Sequence, residues 1–303
     1  MPQVEIISIK VDEKQKEEII NYYKNFQMNN NNEYIIFFAK KDNITISLFE
    51  NKKGNLKLVL KGENALKEAK KWDENAIEKN SKSKRLSWIN TSDQIGSDEV
   101  GTGDFFGPVC VCASFIKESD IPFLKKLGVN DSKKLNDEQI IKIGKELIKK
   151  IPYSQLSLDN EKYNKLYEQG LNLNEIKAKM HNQVLLNLKN KYKINNIFVD
   201  QFATIENYYK YLKDVSEIIT NINFKTKGET YFPSVAVSSI IARYSFLQKM
   251  EKLSKKYKMD IPFGAGSKIK TFSKKFIKAY GLDEFNKIVK KNFVTYNEII
   301  KLL

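Results

Sequence analysis

Two adjacent carboxylates constrain this chain more than any other feature of its sequence. Asp98 and Glu99 end a short apolar run and are followed at once by glycines at positions 101, 103 and 107. Neighbouring acids repel each other and resist burial, so the folded chain must supply water, a cation or hydrogen-bond donors. A divalent cation is the most economical partner beside a loop whose backbone amides can approach a phosphate. The pair predicts metal-dependent phosphate chemistry, unless it is a solvated turn that carries two acids.

The length and charge of the chain favour two domains and a polyanionic partner. Its 303 residues exceed one typical domain, and 41% hydrophobic residues are enough for a packed core. The 52 Lys and Arg residues outnumber 37 Asp and Glu residues and leave a net charge of +15. Such an excess favours nucleic acid as a partner, although a lysine-rich compositional habit would produce it as well.

The two cysteines and the chain's hydropathy predict a soluble cytoplasmic protein. Cys110 and Cys112 alternate in an apolar run, so a strand would point both to one face, as buried structural residues. They form neither a disulfide framework nor a zinc site, which favours a reducing compartment. Charges at Glu5 and Lys10 interrupt any signal peptide, and no stretch approaches the roughly 18 apolar residues of a membrane helix.

The first part of the chain predicts a small α+β domain over residues 1–80. Alternating apolar residues indicate strands at 4–9, 34–39, 44–50 and 56–60, with helices at 12–26 and 64–72. This block has no catalytic cluster but carries several lysines, so we expect it to bind substrate. Residues 81–90 are polar and basic and predict a linker to a larger domain at 91–303.

The larger block alternates strands with helices and predicts an α/β fold, with a mixed sheet flanked by helices. Asp200 directly follows the apolar triplet 197–199, which places it at the carboxyl end of a strand. Ligands bind at that edge of open α/β sheets. The alternative is that Asp200 caps the helix that begins near residue 203.

Glu229 is the only acid between Glu217 and Glu251, and it precedes a long helix that starts at Pro233. Any third segment that supplies a carboxylate from the start of that helix must therefore use Glu229. Taken alone, Glu229 would be an exposed loop residue.

Several other polar residues have weaker signals. The turn that carries Ser132, Lys133 and Lys134 is suited to gripping backbone phosphates, or it is a capped loop with solvated lysines. Asp104 is expected to orient the glycine loop. The only histidine, His181, adjoins an apolar helical stripe and is expected to be structural.

The residues present exclude two common site types and give little support to a third. The glycine loop lacks the Gly-Lys-Ser/Thr of a Walker A motif, and Pro108 with a β-prone run replaces the helix of a dinucleotide fingerprint. A Ser-His-Asp triad would depend on His181 alone.

In their order, the motifs resemble those of bacterial ribonuclease HIII, in the ribonuclease HII/HIII family. The resemblance covers residues 91–303 and rests on six segments: 96–108, 131–135, 181–182, 199–202, 239–244 and 262–266. Ribonuclease HII has Gly-Arg-Gly where this chain has Gly101-Thr102-Gly103. It also lacks a leading domain similar to half of the TATA-binding protein fold, which residues 1–72 resemble. Both differences favour HIII.

This resemblance implies a ribonuclease H-like fold and endonucleolytic cleavage of the RNA strand in RNA/DNA hybrids, with 5′-phosphate and 3′-hydroxyl products. Asp98, Glu99, Asp200 and Glu229 match the family's four acidic positions and would bind two divalent cations, Mg²⁺ or Mn²⁺. The sequence indicates no obligatory protein partner, and we expect a monomer. The alternatives are a ribonuclease HII-like nuclease for single embedded ribonucleotides, a non-catalytic hybrid-binding module and a nucleotide phosphohydrolase.

Substrate selection requires close contact with the 2′-hydroxyl, because this group alone distinguishes a ribonucleotide sugar. Gly101, Thr102 and Gly103 would let main-chain atoms reach it. Ser132, Lys133 and Lys134 are candidates for holding the DNA strand.

Overall fold

The computed structural model describes residues 4–30, 32, 34–51, 54–76, 88–129, 135–266 and 268–301. The chain divides into two compact units, Met1–Arg85 and Leu86–Leu303. Of the linker expected at 81–90, only residues 88–90 are among those described.

The first unit is a four-stranded antiparallel sheet with two helices. Its elements are β1 (Glu5–Val11), α1 (Glu13–Tyr23), β2 (Ile35–Lys41), β3 (Ile44–Glu50), β4 (Leu56–Gly62) and α2 (Ala65–Ala69), and the strand order is β1-β4-β3-β2. Asp12 starts α1 with a capping box to Gln15. Strand alternation buries Ile7, Ile46 and Leu58 against the helices. The opposite face carries exposed lysines.

The second unit contains a five-stranded mixed sheet. Its strands are β5 (Gln94–Val100), β6 (Val109–Ile116), β7 (Tyr153–Leu158), β8 (Ile197–Asp200) and β9 (Ile222–Lys225), in the order β7-β6-β5-β8-β9. Strands β5, β8 and β9 are parallel, whereas β6 runs antiparallel to β5 and β7. The mixed sheet predicted from the sequence is confirmed.

Helices cover both faces of this sheet. They are α3 (Ile121–Lys126), α4 (Asp137–Lys150), α5 (Asn160–Glu168), α6 (Leu173–Tyr192), α7 (Ile205–Lys210), α8 (Pro233–Tyr257), α9 (Lys268–Ile288) and α10 (Val294–Ile300). Helix α8 packs so closely on β5 that a side chain at Gly96 would collide with Ser234. Helix α6 packs on the other face, with Val184 and Leu185 beside Ile95. The central strand β5 is therefore buried on both sides.

Some boundaries differ from the sequence-based expectations. The sequence predicts Asn174 as the cap of α6, whereas in the structure Asn172 caps this helix and its side chain accepts a hydrogen bond from the Glu175 amide. The apolar residues near 218–224 predict a strand, but β9 starts only at residue 222, because the preceding segment bonds to the Asn182 side chain through Glu217 O and Ile219 N. Strand β7 and helix α5 were not predicted. Within the described residues, no helix has the length and apolar character needed to cross a membrane.

Candidate active site

The carboxyl ends of two parallel strands bring Asp98 and Asp200 to one edge of the sheet. Ser97 on β5 is paired with Val199 on β8, so the residues that follow them lie side by side. Because parallel strands end at the same edge, positions 102 residues apart in the chain become neighbours. The placement predicted for Asp200 agrees with this geometry.

Asp98 faces helix α8 and is 7% exposed. Its Oδ1 accepts a hydrogen bond from the Glu99 amide at 2.7 Å, and the Ser239 side chain bonds to the same carboxyl. Burial raises the pKa of Asp98 well above its usual value, and the charges of Glu99 and Asp200 raise it further. The carboxyl is thus held in a site that disfavours its own charge unless a cation is present.

Glu99 points to the opposite face of β5, toward helix α6. Its Oε1 lies 2.9 Å from Lys177 Nζ and its Oε2 lies 2.9 Å from His181 Nε2. Burial acts to raise the pKa of Glu99, but the hydrogen bonds and charges of His181 and Lys177 outweigh it and lower the pKa. The two adjacent acids therefore have opposite electrostatic environments.

The partners of Glu99 belong to a buried network that sequence reasoning missed. His181 Nδ1 lies 2.7 Å from Ser97 Oγ, so the ring joins two residues of the same strand. The ring of Phe202 stacks on His181 at a centroid distance of 5.1 Å, and Lys177 Nζ lies 4.0 Å from its centroid. The i, i+4 spacing of Lys177 and His181 was an available signal, because it puts both on one helix face.

Asp200 and Glu229 are linked through the turn that precedes α8. Gly228, in the 3₁₀ turn Gly228–Thr230, donates its amide to Asp200 Oδ1 at 2.8 Å. Burial raises the pKa of Asp200, and the charges of Glu229 and Glu99 add to this effect against the hydrogen bond from Gly228. Glu229 also lines a cavity of about 210 Å³ together with Ser239, the residue that bonds to Asp98.

Arg243 is a second feature of this cavity that the sequence did not reveal. It lines the cavity with Glu229 and makes a two-pronged ion pair with Asp137, with both N–O distances at 3.0 Å. Its guanidinium lies 5.3 Å from the ring centroids of both Phe246 and Phe263. A fixed cation thus borders the cavity that holds Glu229.

The four acids form a donor set that fits a hard divalent cation. All their donor atoms are oxygens, and among the described residues no Lys, Arg or His nitrogen lies within 4.0 Å of the carboxyl of Asp98 or Asp200. As the described side chains stand, no three His, Cys, Asp or Glu residues are arranged around one ion position. Glu99 is turned to Lys177 and His181, but each carboxylate oxygen keeps a second lone pair for a metal.

The glycine loop is shaped by its main chain. Gly101 has a φ of +95°, and a Cβ there would collide with the carbonyl oxygen of Pro108, so glycine is required. Gly103 is exposed, and a Cβ added to it would meet nothing within 4 Å. Thr102, between them, is half-buried. Of the residues expected to bind substrate, Ser132, Lys133 and Lys134 lie outside the described residues.

Comparisons with known proteins agree with this architecture. The family model described as Ribonuclease HII matches residues 95–296, and a domain of unknown function (DUF3378) matches residues 7–85. The chain is 40% identical to ribonuclease HIII of Bacillus thuringiensis subsp. konkukian (strain 97-27) over 281 residues, which cover 88% of this chain and 89% of that protein.

Two solved structures are similar as well. The crystal structure of Bst-RNase HIII in complex with Mn²⁺ matches with a TM-score of 0.68, 30% identity and 98% coverage of both chains. The ribonuclease H2 from Pyrococcus horikoshii OT3 matches with a TM-score of 0.59 and 25% identity, over 69% of this chain and 98% of that one. The chain therefore belongs to the ribonuclease HII/HIII family of metal-dependent ribonuclease H endonucleases.

Proposed function

We propose that this endonuclease hydrolyses the RNA strand of RNA/DNA hybrids, with Asp98, Glu99, Asp200 and Glu229 as its catalytic acids. The observation that supports the proposal is that acids from three separate segments lie near enough for their charges to act on the carboxyls of Asp98 and Asp200. Each of Asp98 and Asp200 has its pKa raised by burial and by the charges of other members of the set. Structural ion pairs would lower these values, so the arrangement favours a bound cation.

The acids would hold two divalent cations, Mg²⁺ or Mn²⁺. Two such ions neutralise charge on the attacking and leaving oxygens of an in-line phosphodiester hydrolysis. The chain's own residues prepare the site: Ser239 and the Glu99 amide orient Asp98, and the Gly228 amide orients Asp200. The Mn²⁺ complex of a relative supports a divalent ion without deciding between the two metals.

The loop Gly101–Gly103 is proposed to recognise the ribose 2′-hydroxyl by direct contact. The exposed Gly103 leaves room for a sugar to approach the backbone, and Gly101 permits the turn that exposes the main chain at Gly103. Attack at the phosphorus of the RNA strand would leave a 5′-phosphate and a 3′-hydroxyl. Ser132, Lys133 and Lys134 remain proposed contacts to the DNA strand, on the strength of their sequence.

The smaller unit is proposed to bind the hybrid through one face of its sheet. The strand positions that alternate away from its core include four exposed lysines, Lys10, Lys40, Lys57 and Lys61. The other described strand residues on this face are apolar or hydroxyl-bearing, so it carries no acid to oppose phosphate binding. Lysines on such a face contribute sequence-independent affinity.

A cleavage assay on defined substrates tests the function. We expect metal-dependent cleavage of a continuous RNA/DNA hybrid and none of duplex DNA or duplex RNA. Asp98→Asn should abolish cleavage but keep hybrid binding, whereas Asp214→Asn, at an exposed acid paired with Lys179, should stay active.

Other outcomes of this assay would overturn the proposal. Faster cleavage of a duplex with one embedded ribonucleotide would favour a ribonuclease HII-like specificity. Binding without cleavage at any Mg²⁺ or Mn²⁺ concentration would leave a non-catalytic hybrid-binding module.

A further inference from the structure

A buried lysine holds the inner end of the glycine loop. Lys290 follows helix α9 and is 0% exposed. Its Nζ donates to the carbonyl oxygens of Asp104 at 2.7 Å and Gly107 at 2.5 Å, and its amide donates to the carbonyl of Phe105 at 2.9 Å. All three bonds go to the segment that follows Gly103.

The same segment is bonded on a second side by residues far along the chain. Gly264 donates its amide to Asp104 Oδ1 at 2.7 Å and accepts the Phe105 amide at 2.9 Å. The Gly107 amide donates to Ile288 O at 3.2 Å. The loop is therefore fixed between two segments of the C-terminal region.

The aromatic side chains of the loop also hold it against the core. Phe105 and Phe106 are 0% exposed and pack edge-to-face against Phe293 and Phe272, with ring centroids 5.9 Å and 5.2 Å apart. At the buried position 290 a methionine would fill a similar volume without an ammonium group. Burying an ammonium group is costly, and it persists only where carbonyl groups replace its water.

Burial of Lys290 is therefore costly to the fold, and the N–H donors of its side chain instead fix the conformation of the loop. Residues 104–107 are held by these bonds and contacts, whereas Gly103 is exposed and Thr102 is half-buried. A contact to a sugar hydroxyl requires main-chain atoms to be placed within a fraction of an ångström. The bonds and contacts of residues 104–107 would position the adjacent main chain of Gly101–Gly103, which its glycines would otherwise leave mobile.

We propose that Lys290 is a positioning residue for substrate recognition, which sets the Gly101–Gly103 main chain against the ribose 2′-hydroxyl by holding the carbonyls of Asp104 and Gly107. This inference rests on the proposed function of the loop. Lys290 bonds to none of the four proposed catalytic acids and is buried from solvent. It lies 183 positions from Gly107 along the chain.

The test compares Lys290→Met with Lys291→Met in the full chain. Lys291 is the adjacent lysine, and its side chain pairs with Glu168 at 2.8 Å near the surface, so it controls for the loss of one charge. Hydrogen–deuterium exchange of the metal-free proteins is measured first, since it needs no activity. In Lys290→Met the amides of residues 101–107 should exchange at least about tenfold faster, while those of β6 remain protected.

Kinetics on a continuous hybrid supply the second readout. We expect kcat/KM of Lys290→Met to fall between about tenfold and a hundredfold, and Lys291→Met to match the wild type. Partial recovery is expected in Lys290→Gln, whose amide keeps two N–H donors. If Lys290→Met does not fold, Lys290→Gln is compared with the wild type in the same two measurements.

Unchanged loop exchange, or an unchanged kcat/KM on a hybrid that the wild type cleaves, would overturn the role of Lys290. If the wild-type enzyme does not cleave hybrids, the proposed function is overturned instead. Faster loop exchange would still appear in that case, so the two failures are distinguishable.

Discussion

His181 Nε2 lies 2.9 Å from Glu99 Oε2, and its Nδ1 lies 2.7 Å from Ser97 Oγ. The histidine thus connects two residues of β5 that lie on the same face of the strand. Because a carboxylate only accepts hydrogen bonds, Nε2 carries a proton and donates to Glu99. The single histidine of the chain therefore orients one of its proposed catalytic acids.

Replacing this histidine should impair catalysis more than folding. His181→Ala removes a donor that holds Glu99, and loss of such an outer partner typically costs about tenfold to a hundredfold in activity or metal affinity. We expect a fall of that size in kcat/KM on a hybrid, and a similar weakening of Mn²⁺ binding by calorimetry. Gln183→Ala, at an exposed position of the same helix, is the control. Wild-type Mn²⁺ affinity in His181→Ala would contradict this role.

Asp98→Asn should stabilise the metal-free protein while it abolishes activity. The folded carboxyl has a raised pKa, so above its usual pKa the folded state binds more protons than the unfolded chain and the free energy of unfolding falls with rising pH. A neutral amide removes this penalty, so we expect Asp98→Asn to have a higher free energy of unfolding than the wild type, with a larger difference at pH 7 than at pH 5. Urea unfolding at both pH values measures it.

A control variant and a metal-binding measurement test the same role of Asp98. Asp214→Asn should not stabilise the protein, because Lys179 lowers the pKa of Asp214. Added Mn²⁺ should raise the melting temperature of the wild type more than that of Asp98→Asn, because binding to the folded state adds stability. An equal metal-induced shift in both proteins would argue against Asp98 as a ligand.

Lys290 should make stability rise with pH above neutrality. Burial lowers the pKa of Lys290 from 10.5 to about 7, and the charges of Asp104 and Cys110 oppose this only in part. Between these values the unfolded chain binds the extra proton, so the free energy of unfolding increases with pH by up to about 1.4 kcal/mol per unit. Below pH 7 the group adds no slope. Unfolding at pH 7, 8 and 9 should show a shallower rise for Lys290→Met, and parallel curves would refute the assignment.

The lysine face of the smaller unit should control affinity rather than rate. Replacing Lys10, Lys40, Lys57 and Lys61 together with Gln should raise KM for a hybrid by about tenfold or more and reduce the salt dependence of binding, because fewer counterions are released. The kcat should stay within about twofold. The control replaces four exposed lysines of the helices and their ends, Lys14, Lys24, Lys67 and Lys70, with Gln. Equal effects of both sets would indicate net charge alone.

Much of the fold was predictable because local patterns persist in the folded chain. Strand alternation located β1 to β4 within about two residues, and the 197–199 triplet located β8. Pro233 marked the start of α8. By contrast, Tyr153–Leu158 was not predicted as β7, because only its pairing with β6 distinguishes it from a loop.

The amino-acid sequence was sufficient to propose four acids, a glycine loop and an excess of lysine as the functional groups, because residue type fixes charge, donors and backbone freedom. The difference between Asp98 and Glu99 arises from packing, since the pleat of β5 directs one carboxyl toward Ser239 and the other toward Lys177 and His181. The pairing of Lys290 with the glycine loop has the same origin. Burial and long-range contacts set a side chain's electrostatic environment, and both arise only when distant segments pack together.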